Sequence, residues 1–164
     1  MMLLLLALPL PVLASVDQVS AITLRDVHPL YGGQILYLSA DGSGYCQLVT
    51  HPSGTAELHE QRYRLALPPA RVRTLWQLLS ADQLRAASSS TQPGLPGAAR
   101  PRIVAQLASG QRIDLSRWQH DRQPEFDAIY QALLAITRDA ATGSTLLAEG
   151  RFDPQWQPQQ SATH

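Results

Sequence analysis

Alternating hydrophobic and polar positions predict β-strands in the first third of the chain. Two apolar runs, residues 34–40 and 45–50, flank a short polar turn that contains Asp41 and Gly42. Because glycine accepts the positive φ of a tight turn, Asp-Gly between two apolar runs favours a β-hairpin. Residues 16–27 also mix apolar and polar positions, and we expect the sheet to start in this segment.

A further strand is predicted over residues 56–67, after a turn at residues 51–54. Tyr63, Leu65 and Leu67 alternate there with arginine and alanine. A period of two places the large apolar side chains on one face and the polar ones on the other. The sheet should therefore have one covered face and one face open to solvent.

Helical periodicity begins immediately after this strand. Pro69 suits the first position of a helix, where its missing N–H costs nothing. An apolar stripe with the helical spacing i, i+3, i+4, i+7 follows it, and consists of Val72, Leu75, Trp76 and Leu79. We expect one helix here, with Ser80 capping a short continuation through Leu84.

The second half of the chain repeats this order of hairpin and helix. Residues 102–107 and 111–118 flank Ser109-Gly110 and predict a second β-hairpin. Pro124 is expected to begin the last helix, and Gly143 is expected to cap its C-terminus. The apolar face of that helix comprises Phe126, Ile129, Tyr130, Leu133, Leu134 and Ile136.

Two segments are expected to lack regular structure. Residues 88–101 are rich in serine, glycine and proline and offer little to bury, which predicts a mobile loop rather than a domain boundary. The tail, residues 144–164, carries scattered apolar residues among glutamine and proline. We expect this tail, which includes the aromatic residues Phe152 and Trp156, to be largely disordered apart from one aromatic anchor.

These elements predict an α+β fold. We expect an antiparallel sheet of about five strands, built from two hairpins plus a strand, with two helices packed on one face. Single strands do not alternate with helices, which argues against a parallel nucleotide-binding sheet. The length after residue 14 suits one domain, expected at residues 15–143.

The first fourteen residues, MMLLLLALPLPVLA, are uncharged and apolar. A membrane span needs about 20 apolar residues, so this shorter run, interrupted by prolines, predicts a signal peptide cleaved before Ser15. The lack of an initial basic residue is atypical, and a buried N-terminal strand or helix is the alternative. No cysteine follows the run, so a lipid anchor is not implied. We expect a periplasmic or secreted protein.

Composition narrows the chemistry further. The net charge is zero, and all thirteen cationic side chains are arginine, which gives no overall positive field to attract nucleic acid or an anionic membrane. The absence of lysine excludes a side-chain amine for a Schiff base and a phosphate-binding P-loop lysine. Without asparagine the chain has no N-glycosylation acceptor. No cofactor or metal site is predicted.

The cysteine and the histidines are only weak candidates for a catalytic or metal-binding site. Cys46 is the only cysteine, and a buried position in a strand is favoured over a catalytic nucleophile. His59-Glu60-Gln61-Arg62-Tyr63 begins like a zinc-protease helix, but tyrosine replaces the second histidine and the segment is predicted to be a strand. His51 and His59 alone would lack a third ligand.

Carboxylates leave a hydrolase open as an alternative. Asp114 is predicted on the polar side of the second hairpin, whereas Asp41, Glu57 and Glu60 lie near the first. A glycosidase pair needs the two carboxyl groups about 5–10 Å apart, which the sequence does not reveal. Solvated polar residues on the open face of the sheet are the favoured interpretation.

The connection between the second hairpin and the last helix is the candidate binding segment. Arg117, Trp118 and His120 concentrate there, and such side chains are frequent at binding hot spots. Loops also carry function more often than the elements they connect. The alternative is that Trp118 closes the edge of the core.

The Asp41-Gly42 hairpin, the helix at residues 71–79, the Gly110 hairpin and the closing helix together resemble uncharacterised families of small exported bacterial α+β domains. The resemblance covers about residues 22–138. It implies this fold and a location outside the cytoplasm. It implies no catalytic residues, because these families of unknown function have none assigned.

The sequence therefore predicts a non-catalytic module that binds a protein or ligand, through one sheet face or through the Trp118 segment. The expected partner is another envelope or secreted protein. A small envelope hydrolase with carboxylate or histidine chemistry, and a structural accessory domain, are the alternatives.

Overall fold

A computed structural model describes residues 17–158, so the predicted signal peptide lies outside the described part of the chain. The strands are β1 (Val19–His28), β2 (Gly32–Ser39), β3 (Ser43–Thr50), β4 (His59–Ala66), β5 (Arg102–Leu107), β6 (Arg112–Ser116) and β7 (Thr145–Arg151). The helices are α1 (Pro69–Leu78), α2 (Ala81–Ala86) and α3 (Pro124–Gly143).

All seven strands belong to one antiparallel sheet in the order β6-β5-β1-β2-β3-β4-β7. The mixed α and β content and the antiparallel sheet are confirmed, whereas the expected assembly of two hairpins plus a strand is matched only in part. The expected number of about five strands was too low. The first segment is the full ten-residue strand β1, which pairs with both β2 and β5 and joins the two halves of the sheet.

The seventh strand corrects the prediction of a largely disordered tail. β7 pairs with the outer edge of β4, with His59 opposite Arg151 and Tyr63 opposite Leu146. A strand edge offers unpaired N–H and C=O groups that another segment can satisfy. The domain therefore extends beyond residue 143, where the sequence had placed its end.

One face of the sheet and the three helices form the core. Strand residues of this face share one buried cluster with helix residues such as Leu75, Leu84 and Leu133. The strand members are Val19, Ile22, Leu24, Leu36, Leu38, Cys46, Tyr63, Leu65, Ile103, Ala105, Leu107 and Leu115. The helices thus cover one face, as predicted, and we call the other the open face.

Helix boundaries follow the predicted signals closely. α1 and α3 start at Pro69 and Pro124. Ser80 caps α2, since its Oγ accepts a hydrogen bond from the Gln83 N–H at 3.2 Å. Gly143 differs from the expectation: it is the last residue of α3, and its φ is not positive.

The two predicted turn glycines have the expected backbone. Gly42 and Gly110 adopt φ values of 86° and 87°, in the left-handed region that L-residues other than glycine rarely adopt. Gly42 is doubly constrained, because a Cβ there would lie 2.3 Å from the Val72 side chain on α1. Between residues 17 and 158, no helix is both long and apolar enough to cross a membrane.

Candidate functional site

The open face is crossed by the chain itself. Residues 152–158, which we call the C-terminal strap, follow β7 and run back over strands β2, β3 and β4. Phe152 N donates a hydrogen bond to Leu58 O at 2.9 Å, which fixes the start of the strap beside β4. The strap thus divides the open face into a covered part and an uncovered part.

Trp156 is the main side-chain contact of the strap. Its ring meets Tyr37 and Tyr45 edge-on, at centroid distances of 5.8 and 5.9 Å, and these tyrosines lie directly opposite each other on β2 and β3. The Arg62 guanidinium lies 4.7 Å from the centroid of the indole ring. Edge-to-face aromatic pairs and a cation over an indole ring are both attractive. We call this set the Trp156 seat.

The seat also binds the backbone of the strap. Tyr37 Oη donates to Trp156 O at 3.1 Å, and Arg25 Nη1 donates to Pro154 O at 3.2 Å. A longer hydrogen bond, at 3.4 Å, joins Gln47 Nε2 to Asp153 O. Three side chains of the sheet thus hold three main-chain carbonyls of an extended segment.

A buried polar cluster lies in the same part of the open face. Gln47 is fully buried, and Glu60 is 4% exposed. Gln47 Nε2 donates to Glu60 Oε2 at 2.6 Å, and Arg62 forms an ion pair with Glu60. Gln47 Oε1 and Arg62 Nε are buried without a hydrogen-bond partner among the described atoms. The hydrogen-bonding capacity of this cluster is therefore not fully used. A buried polar atom without a partner lowers the stability of the fold.

Beside the strap, the uncovered part of the open face forms a groove of about 1240 Å³. Its lining includes four arginines, Arg25, Arg64, Arg102 and Arg112, and we call it the arginine groove. Tyr37 and Tyr45 line it as well, and Pro158 of the strap borders it. Asp41 is the one carboxylate in the same lining, so the groove keeps a local excess of positive charge on a chain with zero net charge.

The arginines are arranged by strand pairing. Arg25 on β1 lies directly opposite Arg102 on β5, and like charges directly opposite each other destabilise a sheet. Asp114 offsets part of this repulsion. It accepts hydrogen bonds from Arg102 at 2.8 and 2.5 Å and from Arg112 at 3.1 Å. The hydrogen bond from Arg102, more than any other interaction, holds the pKa of the Asp114 carboxyl below its ordinary value.

The four carboxylates singled out from sequence lie in separate contacts. Asp114 is paired with two arginines, and Glu60 is buried with Gln47. Asp41 accepts from Ser43 Oγ at 2.7 Å and from Ser43 N at 2.9 Å, and these hydrogen bonds lower the pKa of Asp41. Glu57 lies 3.4 Å from Arg151. Each carboxylate therefore has partners of its own.

Cys46 and the two histidines occupy positions that agree with the simpler interpretations. Cys46 is fully buried on the covered face, and burial raises the pKa of its thiol to about 12. A reactive thiolate needs the opposite shift. His51 and His59 lie at one end of the β3–β4 pair. Within residues 17–158, no group of three side chains is placed to hold a metal ion.

Arg117 has a structural environment. Its side chain is largely buried, its Nη2 lies 2.7 Å from Asp121 Oδ1, and its Nη1 donates to Ser88 O at 2.9 Å. Arg117 Nε donates to Asp121 O at 3.0 Å. The guanidinium thus joins the start of the 88–101 loop to the segment that follows β6.

Trp118 also contacts the 88–101 loop. Its indole N–H donates to Gln92 O at 3.2 Å, and a Cβ on Gly94 would lie 2.4 Å from its ring. The Arg100 guanidinium lies 4.9 Å from the ring centroid, and the exposed His120 stacks at 6.5 Å. These contacts join Trp118 to the 88–101 loop and to exposed neighbours, and closure of the core edge by Trp118 stays a prediction. Ligand binding at Arg117, Trp118 and His120 stays a prediction.

Sequence reasoning named one sheet face as a binding surface but singled out none of the residues that form the Trp156 seat or the arginine groove. The available signal was in β2, where Ile35 and Tyr37 alternate with Leu36 and Leu38. A strand with large side chains on both faces indicates that something covers or binds each face.

No family model, curated protein or solved structure is detectably similar to the chain. The resemblance to exported bacterial domains therefore stays a prediction.

Proposed function

We propose that the protein is a binding module that acts outside the cytoplasm and holds an acidic segment of another exported protein in its arginine groove. The observation that carries the proposal is the concentration of Arg25, Arg64, Arg102 and Arg112 along one open groove of a neutral chain. The apolar N-terminal run, with its predicted cleavage before Ser15, supports the location.

The chemistry of the groove favours carboxylates. A guanidinium presents a planar fork of donors that matches a carboxylate in a bidentate manner. Asp114 holds the guanidinium groups of Arg102 and Arg112 in place, which lowers the entropy lost when a ligand binds. Tyr37 and Tyr45 add flat apolar surface for the stem of an acidic side chain.

A polypeptide is the occupant that the neighbouring contacts favour. Arg25 lines the groove and already binds the main-chain carbonyl of Pro154 in the strap. Tyr37 does the same with the carbonyl of Trp156. Side chains of the groove therefore have the reach and direction to hold an extended backbone.

The test is binding of a labelled peptide of ten alternating Asp and Glu residues, followed by fluorescence anisotropy at 0.15 M salt. We expect the double variant Arg64→Gln/Arg112→Gln to bind about tenfold more weakly, because charge-assisted hydrogen bonds are lost. The matched control is Arg73→Gln/Arg138→Gln, which removes the same charge from exposed positions on α1 and α3.

Equal weakening in both double variants would show nonspecific attraction by net charge and would contradict the proposal. An acidic polysaccharide that binds while the acidic peptide does not would contradict it as well. Retained affinity in the control, with loss confined to the groove variant, supports it.

A further inference from the structure

We propose that the Trp156 seat is a peptide-binding site in its own right. It takes, from another molecule, an extended segment that carries a tryptophan, and the strap occupies it as an intramolecular ligand. This goes beyond the arginine groove, because the ligand chemistry is an aromatic side chain on an extended backbone and not a run of carboxylates.

The first argument is the way the seat binds its present occupant. Arg25, Tyr37 and Gln47 donate to carbonyls of residues 154, 156 and 153. Main-chain contacts of this kind give affinity for any extended segment, and pockets for particular side chains give specificity. The Trp156 ring is the specificity element, since two tyrosines and a guanidinium surround it.

The second argument is that little of the strap is buried. Asp153, Pro154, Gln155 and Gln157 are exposed, and only Phe152, Trp156 and Pro158 are partly buried. Segments with few buried apolar contacts open at a small fraction of the global unfolding free energy. The seat therefore becomes free in a minor population without unfolding of the sheet.

The third argument is that the strap leaves polar atoms of the seat unsatisfied. Gln47 Oε1 and Arg62 Nε have no partner among the described atoms, although Gln47 is fully buried. A ligand that brings an N–H to Gln47 Oε1 and an acceptor to Arg62 Nε would satisfy both atoms. The strap thus fits the seat in part, and a better ligand would displace it.

The experiment uses a labelled peptide with the sequence of residues 152–158, Phe-Asp-Pro-Gln-Trp-Gln-Pro. Its control is the same peptide with alanine in place of tryptophan. Both are titrated against the wild-type chain and Trp156→Ala. We expect Trp156→Ala to bind the tryptophan peptide at least about tenfold more tightly, because an intramolecular occupant lowers the apparent affinity by the fraction of open seats.

Two further variants test the site in the Trp156→Ala background. Adding Tyr45→Ala should abolish peptide binding, because it removes one wall of the seat. Adding Tyr31→Ala should not change it, since Tyr31 is 75% exposed in the β1–β2 turn. Equal effects of these two changes, or equal affinity for the two peptides, would overturn the proposal.

Strap exchange between two copies would also fill the site from another molecule. A concentration-dependent dimer of the wild type that Trp156→Ala abolishes supports the proposal. If Trp156→Ala fails to fold, the wild-type chain is titrated with both peptides at millimolar concentration, and shifts of the Tyr37 and Tyr45 ring resonances are followed by NMR. Shifts that are the same for both peptides would overturn it.

The two proposals fail independently. Arg64→Gln/Arg112→Gln, introduced with Trp156→Ala, should retain the tryptophan peptide while it loses the acidic one. If Trp156→Ala binds the tryptophan peptide but not the acidic peptide, only the proposal for the arginine groove is contradicted. If it binds the acidic peptide but not the tryptophan peptide, only the proposal for the Trp156 seat is contradicted.

Discussion

Cys46 illustrates how strongly position in the fold sets the chemistry of a residue. It lies opposite Leu36 on β2 and Tyr63 on β4, with its side chain in the core. Desolvation raises the pKa of its thiol to about 12. Burial keeps the Cys46 thiol protonated and therefore a poor nucleophile. It also makes the free energy of unfolding depend on pH above about pH 9.

The free energy of unfolding should fall between pH 9 and about pH 12, because the unfolded chain loses the Cys46 proton near pH 9 while the folded chain keeps it. The slope from this group approaches about 1.4 kcal/mol per pH unit. Urea unfolding from pH 7 to pH 11 should show that Cys46→Ala is less stable at pH 7 but loses stability less steeply above pH 9.

Burial also raises the pKa values of Tyr37 and Tyr130, and both tyrosines remain in Cys46→Ala. The difference between the two pH profiles therefore isolates the thiol. Profiles that stay parallel above pH 9 would show that Cys46 is accessible to solvent in the folded chain.

At the scale of elements, the 88–101 loop shows how contacts can fix a segment that has no periodic pattern. Ser90 N donates to Ser116 O at 2.8 Å, and Trp118 N donates to Ser90 Oγ at 3.0 Å. Gly94 lies against the Trp118 ring. A mobile loop would tolerate a methyl group added at Gly94, whereas a loop packed against Trp118 would be destabilised by it.

Gly94→Ala should destabilise the protein by about 1–3 kcal/mol, because the added Cβ would overlap the Trp118 ring in a packed contact. Gly143→Ala is the matched control, since a Cβ there meets open space at the end of α3. Chemical unfolding of both variants provides the measurement. A Gly94→Ala variant as stable as the wild type would favour a loop that moves freely.

Local signals were sufficient for the elements that carry their own periodicity. Three local signals agree with the structure. Leu75 and Leu79 of the predicted stripe are buried, Ser80 caps α2, and Gly42 and Gly110 adopt the positive φ of tight turns. Propensity and pattern act over short windows of sequence, which is why such elements could be predicted.

β7 and the strap could not be predicted in this way. Leu146 and Leu147 are adjacent and do not alternate, and both are exposed in the strand. β7 forms because the edge of β4 is available to pair with it. Trp156 likewise stands among glutamine and proline, and its partners Tyr37 and Tyr45 are more than a hundred residues away in sequence. Tertiary pairing creates the site.

The whole molecule separates packing and recognition onto the two faces of one sheet. The helices cover a mainly aliphatic face, whereas the arginines of the groove and the partners of Trp156 lie on the other face. A neutral chain can therefore present a basic groove locally. The proposed function depends on this asymmetry and on delivery of the protein to the compartment of its partner.

Export is tested on the full chain expressed in a bacterium, by fractionation and N-terminal sequencing. We expect the periplasmic form to begin at Ser15, because Val12 and Ala14 provide the small residues of a cleavage site. Leu5→Arg should keep the chain in the cytoplasm, since it interrupts the apolar run. Gln18→Arg adds the same charge beyond that run and should be exported normally. A periplasmic form that retains residues 1–14 would contradict the cleavage prediction.

The interior position of β1, between β5 and β2, has a consequence for the order in which the sheet assembles. β1 to β4 are joined by short turns and pair as neighbours, whereas β5 docks on β1 from far along the sequence. Short-range pairing forms faster than long-range pairing. The four-stranded antiparallel sheet β1–β4 should therefore form first. One edge of β1 would stay unpaired until the β5–β6 hairpin has formed and pairs with it.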